Sequence, residues 1–102
     1  MSNFADVLNA LPQADGARLL LRDAAGVEVA LIENAPGTAG SFRVYAYLAQ
    51  KYGDITPAAA AEGLTIFAEH AADARLNPGR HSNIDRLLAL QAAGATLHVV
   101  IE

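Results

Sequence analysis

The sequence contains no cysteine. Disulfides, thiol nucleophiles and thiolate metal sites are therefore excluded, and the chain suits a reducing compartment such as the cytosol. It has no basic surplus: seven Lys and Arg stand against eleven Asp and Glu, a net charge of −4. Nucleic acid is not an expected partner, because its binders carry a basic face. Long apolar runs are also missing. No stretch approaches the roughly 20 residues of a membrane helix, and the opening "MSNFADVLNALPQADG" shows no secretory signal. Neither a membrane nor an export signal is expected.

Several catalytic signatures are absent as well. "GxSxG" does not occur, and Ser2, Ser41 and Ser82 are the only serines. There is no "GxxxxGK[ST]" phosphate loop and no "HExxH".

What is present is a 102-residue chain, 53% hydrophobic and 18% charged. That size predicts one globular domain over residues 1–102 with enough core to fold unaided. Residues 2–11 predict a short helix, capped by Ser2 or Asn3, with Phe4, Val7, Leu8 and Leu11 on one face. "ARLLLRD" and "VEVALIE" predict a hairpin turning at "DAAG", with Gly26 at positive φ. Leu19 and Leu21 are expected on the inner face of the first strand. Val27, Val29 and Leu31 share one face of the second, and Arg18, Arg22 and Glu28 the solvated side.

"FRVYAYLAQKY" predicts a helix stopped by Gly53. "ITPAAAAEGLTIFAEHAADARL" predicts one long helix, with Thr56 as cap, Pro57 in the first turn and Leu64, Phe67, Ala71 and Ala74 inward. Its outer acids Glu62, Glu69 and Asp73 are expected to be solvated. Gly63 within it costs about 1 kcal/mol against alanine, which a close helix crossing or a ligand would explain. "SNIDRLLALQAA" predicts a further helix, opened by a Ser82/Asp85 variant of the capping box and ended by Gly94. "ATLHVVIE" predicts a final strand. The class is α+β: a small antiparallel or mixed three-stranded sheet, hairpin plus C-terminal strand, covered by about four helices. The apolar last strand is a pairing edge, so a homodimer through an extended sheet or through helices is the expected assembly.

Two loops carry the candidate site. "PGTAGSFR" and "NPGRHSNIDR" each set a Pro-Gly before a helix. A helix N-terminus offers free N–H groups and partial positive charge to an anion. Arg43, Ser41, Arg80, His81, Ser82 and Arg86 are the expected anion-facing residues. The plainer alternative for the first loop is a turn capped by Thr38 or Ser41. For the second it is a solvated loop. A rival enzyme reading uses His70 or His81 with Asp73 or Asp85. A metal would draw on these and Glu69, but their spacing is not that of a metal motif, so no metal and no cofactor are expected. His70 otherwise reads as a boundary histidine, paired to Asp73 or capping a neighbouring helix. Tyr47, between Arg43 and Lys51, reads as a surface cation–π partner or an interface aromatic. A third class is a protein–protein adaptor.

The strings "ENxPGxxGSxRVY" and "EHxxDAxxNPGxHxNIDRL" resemble a small bacterial family, mostly proteobacterial, known only as a domain of unknown function. The resemblance spans residues 4 to 101. It implies a small cytosolic single-domain protein and carries over no activity.

Overall fold

The structure is a computed structural model that describes residues 3–102. Its elements run α1 (Phe4–Ala10), β1 (Arg18–Arg22), β2 (Glu28–Glu33), α2 (Ala39–Tyr52), α3 (Pro57–Phe67), α4 (Glu69–Leu76), α5 (Ser82–Ala93) and β3 (His98–Ile101). The fold is α+β. The sheet is antiparallel in the order β2-β1-β3.

Local chemistry accounts for most boundaries. Asn3 Oδ1 accepts from Asp6 N–H at 2.9 Å and caps α1. Ser2, the other expected cap, lies outside the described residues. Asp23 Oδ1 accepts from the N–H groups of Ala25 and Val27, and Gly26 takes φ +83°, which closes the hairpin. Thr56 Oγ1 accepts from Ala59 N–H at 3.1 Å, with Pro57 in the first turn of α3. Gly53 (φ +85°) ends α2, and Gly94, in the left-handed region, ends α5.

Leu19 and Leu21 are fully buried and join a core with Phe42, Tyr45, Leu48, Ile55, Phe67, Ile84 and Leu87. Burying one such large side chain contributes about 1.5–3 kcal/mol. Gly63 marks a close crossing: a Cβ there would lie 2.9 Å from both Leu48 and Leu87 Cδ1. That accounts for glycine in mid-helix without a ligand.

Several expectations need correction or sharpening. The inner face of β2 is not Val27, Val29 and Leu31, which are 57%, 49% and 46% exposed. Ile32 lies opposite Leu19 and Ala30 opposite Leu21, while the register slips between Leu21 and Arg22 so that Arg22 meets Glu28. Val29 is thus the extra residue of a bulge.

The long helix is two helices. Ala68 breaks it with φ +52° and ψ −118°, a conformation that costs a non-glycine residue energy. The described residues therefore hold five helices, the fifth coming from this break. α2 also starts earlier than expected, at Ala39.

The outer acids of those helices are partnered. Glu62 accepts from Lys51 Nζ at 2.7 Å and from the Tyr52 hydroxyl at 2.6 Å. Those bonds hold its carboxyl down to about 2. Glu69 Oε1 accepts from Phe4 N–H at 2.7 Å, which ties α1 to the start of α4 and lowers the Glu69 pKa. Lys51 stands 6.0 Å from the Tyr47 ring and 5.6 Å from that of Tyr52, while Arg43 has turned elsewhere.

The expected capping of α2 and α5 also fails. Thr38 is the residue before α2, but its hydroxyl donates to Glu33 O at 2.7 Å instead of capping the helix. His81, not Ser82, precedes α5, and Asp85 accepts from Gly79 N–H at 2.8 Å.

Candidate functional site

The two Pro-Gly loops, some forty residues apart in the chain, meet in space. They form opposite walls of a cleft of about 360 Å³. Gly37, Thr38, Gly40 and Ser41 supply one wall. Arg80, His81, Ser82 and Asn83 supply the other. Phe4, Phe67 and His70 floor it.

The site is built by helix geometry. α2 and α5 both open onto the cleft with first-turn N–H groups that have no intrahelical partner. Among the described residues no side chain caps either helix. α1 and α3, by contrast, are capped by Asn3 and Thr56. The aromatic floor is ordered: Phe4 stacks on Phe67 at 5.2 Å between centroids, and His70 meets the Phe4 ring edge-on at 5.2 Å.

His81 occupies the rim. Its Nε2 lies 2.6 Å from Asp73 Oδ2, and Asp73 Oδ1 also accepts from Asn77 Nδ2 at 3.0 Å. The His81 contact, above all, holds the Asp73 carboxyl below the ordinary range. The His70 and His81 rings are 5.6 Å apart. Asp73 therefore pairs with His81 and not with its helix neighbour His70. Among the described residues no three His, Asp or Glu side chains gather as a metal site would need.

Of the six expected anion-facing residues, Ser41, Arg80, His81 and Ser82 line the cleft. Arg43 and Arg86 do not. The Arg43 guanidinium donates to the carbonyls of Leu11 and of Pro12, the latter at 3.0 Å from Nε. It closes the C-terminal end of α1 over α2. Arg86 Nη1 donates to Asn83 Oδ1 at 2.9 Å and to the Tyr45 hydroxyl at 3.2 Å, with its guanidinium 5.7 Å from the Tyr45 ring centroid. The Tyr45 hydroxyl in turn donates to Asn83 O. Burial pushes that phenol up to about 12, against a lowering pull from Arg86. Both guanidiniums are thus held by protein acceptors.

Sequence reasoning missed the aromatic floor. Phe4 and Phe67 read as ordinary core positions of two helices. Only the break at Ala68 and the Glu69 bond to Phe4 bring them under the two loops. Among the described residues no helix is long and apolar enough to cross a membrane.

The family model described as "Uncharacterized protein conserved in bacteria (DUF2322)" matches residues 4–101, and the chain belongs to that family. No curated protein and no solved structure matches the chain.

Proposed function

We propose that this member of an uncharacterised bacterial family is a cytosolic, non-catalytic ligand-binding module whose cleft takes a small anion of the carboxylate or phosphate class. The observation that supports this reading is the pair of uncapped helices. α2 and α5 point their N-termini into one cleft, and no side chain satisfies either. Two helix N-termini together present several N–H donors and two positive dipole ends. Ser41 and Ser82 add hydroxyl donors, and Arg80 adds a full charge at the mouth. The aromatic floor suits an acid with an apolar or planar body.

Amide spectra recorded while phosphate, sulfate and citrate are titrated in turn test the idea. Saturable shifts are expected at Gly40, Ser41, Ser82 and Asn83, weakened in Arg80→Ala. Shifts that never saturate, or that spread evenly over the surface, refute it.

A second reading rests on the His81–Asp73 contact at 2.6 Å. A carboxylate that fixes an imidazole at the rim of a cleft is the arrangement of a general base. Under that reading His81→Gln abolishes turnover of a bound acid while leaving its affinity largely intact. Under the first reading no turnover is found, and His81→Gln changes affinity alone.

A further inference from the structure

β3 is one edge of the sheet. Glu102 N–H donates to Arg18 O at 2.9 Å. By the alternation of an antiparallel ladder, His98, Val100 and Glu102 turn their backbone groups toward β1, and Leu97, Val99 and Ile101 turn theirs outward. Leu97 is paired on that outer side, because it exchanges both bonds with Ile55 at 2.9 and 3.0 Å. The bridge stops there: before Ile55 the chain turns through Asp54, whose carboxylate lies 3.1 Å from His98 Nδ1, and Gly53 into the end of α2. Among the described residues no strand lies beside Val99 and Ile101 on that side. The opposite edge is guarded by the bulge at Val29 and by Glu28 and Glu33 at its ends. β3 carries no bulge, although His98 and Glu102 stand at its ends.

We propose that β3 pairs antiparallel with β3 of a second copy of this chain, about a two-fold axis at Val100, to give a six-stranded sheet. The register follows from which residues face outward. Val99 meets Ile101 of the second copy and Ile101 meets its Val99, so every outward N–H and C=O of both residues is bonded. An isologous contact needs a self-complementary patch, and the ends of this one are: His98 falls opposite Glu102 on both sides of the axis. In the single chain His98 Nδ1 already lies 3.1 Å from Asp54, and Glu102 lies 3.8 Å from Arg18. Pairing joins these into a mixed-charge cluster at each end.

Both faces of the extended sheet gain apolar contact. On the outer face, Leu31, Leu20 and Val100 form one row across the three strands. Leu20 is 7% exposed yet lies outside the main core. Pairing continues that row through Val100 into the second copy. On the inner face, Val99 and Ile101 border a groove of about 560 Å³ with Pro12, Ala46, Tyr47 and Ala49. The second copy's Val99 and Ile101 project into that groove. The groove lies along the C-terminal half of α2, away from the cleft at its N-terminus, so self-pairing leaves the proposed ligand site open.

The absence of cysteine makes the register testable directly. In a non-hydrogen-bonded antiparallel pair the Cα atoms are about 4.5 Å apart, within disulfide reach. The two copies of Val100 stand in that relation, whereas the two copies of His98 are far apart. Val100→Cys is expected to cross-link about tenfold faster than His98→Cys under mild oxidation. Light scattering is expected to give a dimer for the wild type. Val99→Pro, which removes an outward N–H together with part of the Val99 packing against the core, is expected to be monomeric. A wild type that stays monomeric when concentrated overturns the proposal and leaves the edge to an extended segment of another protein. A dimer indifferent to Val99→Pro, or equal cross-linking of the two cysteine variants, overturns it too. If Val99→Pro fails to fold, the comparison of cysteine variants alone decides.

Discussion

His81 Nε2 and Asp73 Oδ2 stand 2.6 Å apart and join α4 to the residue that precedes α5 at the rim of the cleft. The contact lowers the Asp73 pKa, with help from Asn77 and from the charge of Arg80. A carboxyl depressed in the fold contributes stability that is fully present above its unfolded pKa of about 3.9 and is lost as pH falls through the lower folded value. Wild type is therefore expected to melt above Asp73→Asn at neutral pH, with the gap closing on acidification below the ordinary carboxylate range. Thermal melts of both proteins across that range check it. A gap independent of pH means that the carboxylate charge is not what matters.

Tyr45 gives the opposite sign. Its phenol is raised to about 12 by burial, so it stays neutral in the fold when the unfolded chain ionises near 10. The stability that follows from this is intact below pH 10 and is lost between 10 and about 12. Tyr45→Phe keeps the ring but removes the hydroxyl between Arg86 and Asn83 O. It is expected to cost about 1 kcal/mol at neutral pH and to flatten the alkaline loss. Denaturant titrations of the two proteins at neutral and alkaline pH measure both effects. An alkaline loss unchanged by the substitution assigns it to another group.

Arg43 holds carbonyls, not a ligand. With Leu11 and Pro12 left without their donor, Arg43→Ala is expected to fray α1 and to cost about 1 kcal/mol of stability. Hydrogen exchange locates the loss: faster exchange confined to α1 and the segment before β1 is the expected pattern. Protection that falls first at α5 instead assigns Arg43 to the cleft.

The readable parts of the chain were those set by local chemistry. Thr56-Pro57, Gly53, Gly94 and "DAAG" each fix a boundary through their own backbone or side chain, and the element order follows from them. The face of β2 was hidden because both parities of "VEVALIE" hold apolar residues, and a bulge at Val29 leaves no mark in the composition. The site divides the same way. Two loops that open helices can be seen in the chain, and Ser41, Arg80, His81 and Ser82 sit on them. The destinations of Arg43 and Arg86 depended on carbonyls and a phenol from elements far away in sequence, which no local pattern announces.

The break at Ala68 is the least legible feature and the most direct to test. Neither glycine nor proline marks it, yet φ +52° with ψ −118° is a conformation that glycine tolerates and alanine resists. A backbone outlier of this kind costs about 1–3 kcal/mol, and glycine's extra freedom in the unfolded chain returns roughly 0.5–1 kcal/mol of that. Ala68→Gly is therefore expected to stabilise the protein by about 1 kcal/mol, read as a rise in melting temperature. The strain sits where it matters for the cleft: the turn at Ala68 swings α4 so that Glu69 reaches Phe4 and His70 joins the aromatic floor. If the break is held by those contacts, Ala68→Gly keeps the amide spectrum of the cleft residues. A variant that loses stability shows instead that the long helix runs unbroken through residue 68, in which case the floor of the cleft is not formed as described.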